Sequence, residues 1–189
     1  MTHIEKAGKT IDVLFSAEEI ANRNLELVRE IAEMDPHRLL VIAVLKGSYV
    51  FAADLIRAMH EVGLAPEVDF IHLSSYREAT VSTGHVRVVR DIESEVGDRD
   101  VIIIDEILES GRTLAYAKDL IAARGARRVK TCVLLVKPGR QTTQIQADFQ
   151  GFECPDRFVV GYGMDMGNAF RELPFVGYIV GPSDDEPKS

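Results

Sequence analysis

Apolar residues fall along the chain in two kinds of run. The stretches 39–45 (LLVIAVL) and 101–104 (VIII) are continuous and lack polar alternation, which suits strands buried on both faces of a parallel sheet. Between such runs the apolar positions recur at helical spacing. Ser16 followed by Glu19 makes a capping-box pattern, after which Ile20, Leu27, Val28 and Ile31 mark one helix face until Asp35 and Pro36 stop it. Phe51, Leu55, Ile56 and Met59 mark a second helix over 49–60, with Gly63 as terminator. Leu114, Ala117, Leu120, Ile121 and Arg124 fit a third, closed by Gly125. Further strands are predicted over 68–75, 129–136, 158–162 and 176–180, and 85–91 alternates like an antiparallel return strand. Residues 149–156 read as a loop and the polar tail 181–189 as frayed. Strand and helix alternate through the middle of the chain, so the predicted class is α/β with a mostly parallel central sheet, in one domain over 1–189.

Composition narrows the function. The chain has 189 residues, 46% hydrophobic and 28% charged, the balance of a globular protein. A net charge of −8 argues against a general nucleic-acid surface, yet leaves room for a small phosphorylated ligand held by a few local cations. No apolar run is long enough to span a bilayer, and the opening MTHIEKAGKT lacks the apolar centre of a secretion signal, so a cytoplasmic protein without membrane partners is expected. Cys132, in a predicted strand, and Cys154, in a loop, have no metal-ligand spacing, and a buried thiol is the expected role of Cys132.

The chemistry concentrates in VIIIDEILESGRTL, residues 101–114. Asp105, Glu106 and Glu109 crowd the end of a buried strand, more acid than capping of the next helix requires, and ligands sit at strand ends in open α/β sheets. Gly111, between Ser110 and Thr113, lets backbone N–H groups close around an anion at a helix N-terminus. A phosphate there and sugar hydroxyls or a metal at the acids together suggest a phosphorylated sugar. There is no GxxxxGK[ST] stretch and no GxGxxG after a strand. A second small-residue turn with a cation, Lys46–Gly47–Ser48, ends the strand 39–45. The polar segment 76–84 fits either a hairpin connection or a mobile lid.

The stretch 101–114 resembles the phosphoribosyl-diphosphate signature of type I phosphoribosyltransferases. LKGS (45–48), SSY (74–76), STG (82–84), VKP (136–138), and PDRFVVGYGMD with FRELP (155–174) are similar, in order and spacing, to the hypoxanthine-guanine phosphoribosyltransferases. The resemblance implies that family's fold, a mostly parallel sheet flanked by helices with a small hood and a mobile loop. It also implies transfer of a 5-phosphoribosyl group from phosphoribosyl diphosphate to N9 of a 6-oxopurine base, with magnesium, in a homodimer or homotetramer.

By that resemblance Ser110, Gly111, Arg112 and Thr113 would cradle the 5′-phosphate, with Glu109 beside them as the catalytic acid-base. Asp105 and Glu106 would hold the ribose hydroxyls, directly or through magnesium. Leu45, Lys46, Gly47 and Arg171 would serve the pyrophosphate, Asp165 would hold a magnesium ion near the purine, and Lys137, Phe158 and Val159 would bind the base. Ser75 and Tyr76 would belong to a lid closing over the reaction centre, which favours the lid reading of 76–84. Two departures stand out: the family's acidic pair is Glu then Asp, here Asp105 then Glu106, and the family has Asp where Glu109 stands. A phosphoribosyl-diphosphate-binding regulatory protein and a xanthine-preferring transferase are the alternatives.

Overall fold

Two sheets, one buried and one forming a cap beside it, frame the molecule. The computed structural model describes residues 3–6, 8–75 and 86–180. In chain order the elements are β1 (His3–Lys6), β2 (Lys9–Phe15), α1 (Ala17–Ala32), β3 (Leu40–Leu45), α2 (Tyr49–Glu61), β4 (Glu67–Ser75) and β5 (Val86–Arg90). They continue with β6 (Asp100–Leu108), α3 (Arg112–Ala123), β7 (Arg128–Val136), β8 (Phe149–Glu153), β9 (Val159–Val160) and β10 (Val176–Ile179).

The larger sheet has the order β5-β4-β3-β6-β7-β8, parallel throughout except for β5, which runs antiparallel to β4. Successive residues of a strand face opposite sides, and the unbroken run on β6 follows from that. Ile102 and Ile104 pack with Ile20, Leu27, Val28 and Ile31 of α1 and Phe51, Leu55 and Met59 of α2. Val101 and Ile103 pack with Leu114, Ala117 and Ile121 of α3 on the other face. Each such side chain, once fully buried, contributes about 1.5–3 kcal/mol. The helix signals hold locally as well: Ser16 Oγ accepts from the Glu19 amide at 3.3 Å while Glu19 Oε2 accepts from the Ser16 amide at 2.8 Å.

The smaller sheet, β1-β2-β10-β9, is antiparallel and closes a separate core of Ile11, Val160, Phe170, Leu173 and Phe175. It corresponds to the expected hood.

Three boundaries differ from the sequence reading. Residues 149–156 are not all loop, because Phe149–Glu153 pairs in parallel with β7 as the edge strand β8. Strand β6 runs through the acids to Leu108, since Ile107 and Leu108 keep their register against Leu135 and Val136. The strand expected over 158–162 shrinks to Val159–Val160, leaving Phe158 outside it and 60% exposed.

Candidate active site

The carboxyl ends of β3 and β6 open into one cavity of about 710 Å³. Leu45, Lys46 and Gly47 line it from β3, and Asp105, Glu106, Glu109, Ser110, Gly111 and Thr113 from β6 and the start of α3. Lys137, Phe158, Val159, Asp165 and Arg171 line it from the ends of β7 and the hood. Met164, inside the PDRFVVGYGMD motif, also lines it, as do His72 and Leu73, which no motif in the sequence marks. Arg112 does not join the lining; its Nε donates to Thr142 Oγ1 at 3.2 Å. Ser75 ends β4, registered opposite Val86, whereas Tyr76 and the rest of the expected lid, 76–84, lie outside the described residues.

Because the strand continues past Ile104, side-chain alternation decides how the acids are presented. Asp105 is 7% exposed, and burial together with the neighbouring Glu106 charge pushes its carboxyl well above the ordinary range. Glu106 instead reaches across to β3: a Cβ added at Gly47 would collide with its carboxylate. Only glycine at 47 lets that acid lie against the turn. The Leu45–Lys46 peptide in the same turn is cis.

Glu109, at the β6–α3 turn, meets Lys137 from the end of β7, with Lys137 Nζ donating to Glu109 Oε1 at 3.2 Å. The lysine side chain is 8% exposed and the glutamate 45%, so a fixed cation faces a solvent-accessible carboxylate.

Gly111 takes the left-handed conformation (φ 79°) that lets the chain turn from β6 into α3. Ser110 Oγ accepts from the Arg112 amide at 3.4 Å, and the glycine N-cap has no side chain to engage the amides that follow, which are free to meet an anion. The 137–143 segment holds this turn from outside: Thr142 N and Oγ1 donate to the Ser110 carbonyl at 2.9 and 3.2 Å.

The hood supplies the remaining cation through close backbone approach. Gly163 packs on the Gly47 carbonyl where a Cβ would clash. Arg171 Nη1 donates to the Gly163 carbonyl at 2.6 Å, and Arg171 Nη2 pairs with Asp165 at 2.7 Å. Tyr162 anchors this segment to both helices, donating to Asp54 of α2 at 2.7 Å and accepting from Asn24 of α1 at 3.0 Å. Asp165 and Arg171, which would read as surface residues in isolation, thus line the same cavity as the strand-end acids.

Two adjacent carboxylates, one buried and destabilised as an anion by the other, are hard oxygen donors that a divalent cation would relieve. Among the described residues no group of three or more His, Cys, Asp or Glu is placed to hold a metal. That donor set fits magnesium, which commonly takes one or two carboxylates and completes its shell with waters and substrate phosphates.

A phosphate turn after a central parallel strand, acids at that strand's end and an antiparallel hood define a type I phosphoribosyltransferase. Residues 12–166 match the phosphoribosyl transferase domain family, and the chain belongs to that family, among its hypoxanthine and hypoxanthine-guanine phosphoribosyltransferases. It is 43% identical to the hypoxanthine-guanine phosphoribosyltransferase of Bacillus subtilis over 88% of this chain and 92% of that protein. It is equally 43% identical, over 88% of its length, to the bifunctional protein TilS/HprT of Listeria innocua, of which it spans only 26%. A crystal structure of a Staphylococcus aureus hypoxanthine phosphoribosyltransferase superposes with a TM-score of 0.84 at 35% identity, covering 93% of this chain and 94% of that one. Among the described residues no helix is long and apolar enough to cross a membrane.

Proposed function

We propose that the chain is a purine-salvage enzyme that transfers the 5-phosphoribosyl group from phosphoribosyl diphosphate to N9 of hypoxanthine or guanine. The products are IMP or GMP and pyrophosphate. It works as one cytoplasmic phosphoribosyltransferase domain in a homodimer or homotetramer, with magnesium. The observation that carries the reading is the meeting, in one cavity, of a phosphate turn, an acidic pair and the cations Lys46, Lys137 and Arg171.

In the reaction the bond from the anomeric carbon to the pyrophosphate oxygen breaks, and its electron pair leaves with the pyrophosphate. The N9 lone pair forms the new bond on the opposite face, with inversion, and the displaced base proton goes to the Glu109 carboxylate. The Ser110–Thr113 turn binds the 5′-phosphate, while Lys46, Arg171 and the Leu45–Gly47 backbone receive the leaving charge. Asp105 and Glu106 hold the ribose hydroxyls and stabilise the developing oxocarbenium charge. Asp105 and Glu106 would hold magnesium at the ribose and Asp165 would hold it near the purine, where the ion would supply charge neutralisation at the diphosphate. Phe158 stacks on the base and Val159 reads its edge through the backbone. Lys137 selects a 6-oxo group because an ammonium has donors and no acceptor.

Pyrophosphate release from phosphoribosyl diphosphate and magnesium, measured with hypoxanthine, guanine and xanthine in turn, tests the reading. Release with hypoxanthine or guanine is expected. Donor-induced thermal stabilisation without release with any base would replace it with a regulatory binding protein, and release with xanthine alone would change the substrate.

A further inference from the structure

We propose that Thr142 is a positioning residue that sets the geometry of the phosphate turn from outside it; this rests on the reading of 110–113 as the donor's 5′-phosphate site. Gly111 carries the left-handed bend on which the direction of the following amides depends, and Thr142 grips both of its chain neighbours. Its amide and hydroxyl donate to the Ser110 carbonyl at 2.9 and 3.2 Å, and the same hydroxyl accepts from Arg112 Nε at 3.2 Å. One hydroxyl therefore uses its single donor on one side of the glycine and a lone pair on the other. Thr143 adds a weaker bond to Ser110, and its side chain with Ile145 fills the space where a Cβ on Gly111 would stand.

The same segment reaches the purine side. Gln141 Nε2 donates to the Lys137 carbonyl at 2.8 Å, and the Lys137 amide donates to the Leu108 carbonyl at 3.0 Å. The segment that carries Thr142 is thus anchored on the end of β7, which gives Thr142 a fixed support from which to grip the phosphate turn. A preformed cradle lowers the ordering cost of binding the anion, so its loss falls on donor affinity first.

The test compares Thr142→Val, which keeps shape and removes the hydroxyl, with Thr142→Ser, which restores it. Phosphoribosyl diphosphate binding by calorimetry, KM for donor and for purine, and amide hydrogen exchange of the unliganded proteins are measured. Thr142→Val should weaken donor binding roughly ten-fold with purine KM within about two-fold, since two hydrogen bonds are lost at one residue. Exchange should accelerate over 111–114 and not in β3 or β7, and Thr142→Ser should recover both properties. A merely structural threonine would raise exchange throughout and shift both KM values together, which would overturn the proposal, as would wild-type donor affinity in Thr142→Val. If the wild type itself bound no donor, the proposed function would fall, and the local exchange difference alone would decide the role of Thr142.

Discussion

Strand β6 carries two buried aspartates, one at its start and one towards its carboxyl end, in opposite electrostatic settings. At the amino end the Asp100 side chain is 1% exposed and is surrounded by donors: Arg128 through two nitrogens, Arg127 at 3.1 Å and the His37 amide at 2.8 Å. Arg128 above all holds its carboxyl below the ordinary range. Towards the carboxyl end Asp105 is equally shielded from water, but its close ionisable neighbour is another acid, and its carboxyl is pushed up. One strand of nine residues thus carries an aspartate among cations at its start and, further along, an aspartate whose only hydrogen-bond donor among the described residues is the Glu106 amide, at 3.0 Å. An acid that the fold sets beside another acid, with no cation among the described residues to match it, points to the end where a ligand completes it.

Reversing each end should have opposite consequences. Asp100→Asn removes the charge that accepts from Arg127, Arg128 and the His37 amide, and since the arginines stay partly in water it should cost about 1.5–3 kcal/mol in urea denaturation. Donor affinity of the folded fraction should be unchanged. The pH dependence gives a second, smaller reading of the same aspartate. Because its folded pKa is depressed, Asp100 contributes stability that is fully present above about pH 4 and is lost as pH falls through the folded value. Asp100→Asn should therefore flatten the acid limb of the stability profile below about pH 4. Asp105→Asn removes a carboxyl that burial and Glu106 disfavour, so the unliganded protein should gain about 1 kcal/mol in the same denaturation experiment while turnover is lost. A loss of stability in Asp105→Asn would show that its carboxyl is compensated within the fold and would dissolve the contrast.

The sequence made the parallel core legible because its central strands are buried on both faces and its helices carry apolar faces at regular spacing, with a capping box on α1. Ser16 with Glu19 and the glycine at 111 announced the geometry they adopt. The candidate site residues came from motif resemblance, and of those whose side chains are described the fold gathers all but Arg112 into one cavity. Strand β8 escaped notice because FQGFE has neither a continuous apolar run nor clean alternation, and its identity comes from pairing with β7. The β1–β2 pair was missed as well: exposed Lys9, half-buried Thr10 and buried Asp12 conceal a strand that only the distant β10 completes. Thr142 gave no signal at all, since its role depends on hydrogen bonds to residues about thirty positions earlier. Long-range partners of this kind have no local pattern to read.

Glu109 carries the central claim, because it is the acid that the fold leaves facing solvent and a buried lysine, and because it stands where the family has aspartate. Steady-state pyrophosphate release by Glu109→Gln, with hypoxanthine and guanine at saturating phosphoribosyl diphosphate, measures its role directly. The account predicts a fall in kcat of roughly 10²- to 10⁴-fold, the usual contribution of a positioned acid-base group, with donor binding retained. Turnover equal to that of the unsubstituted protein would contradict it.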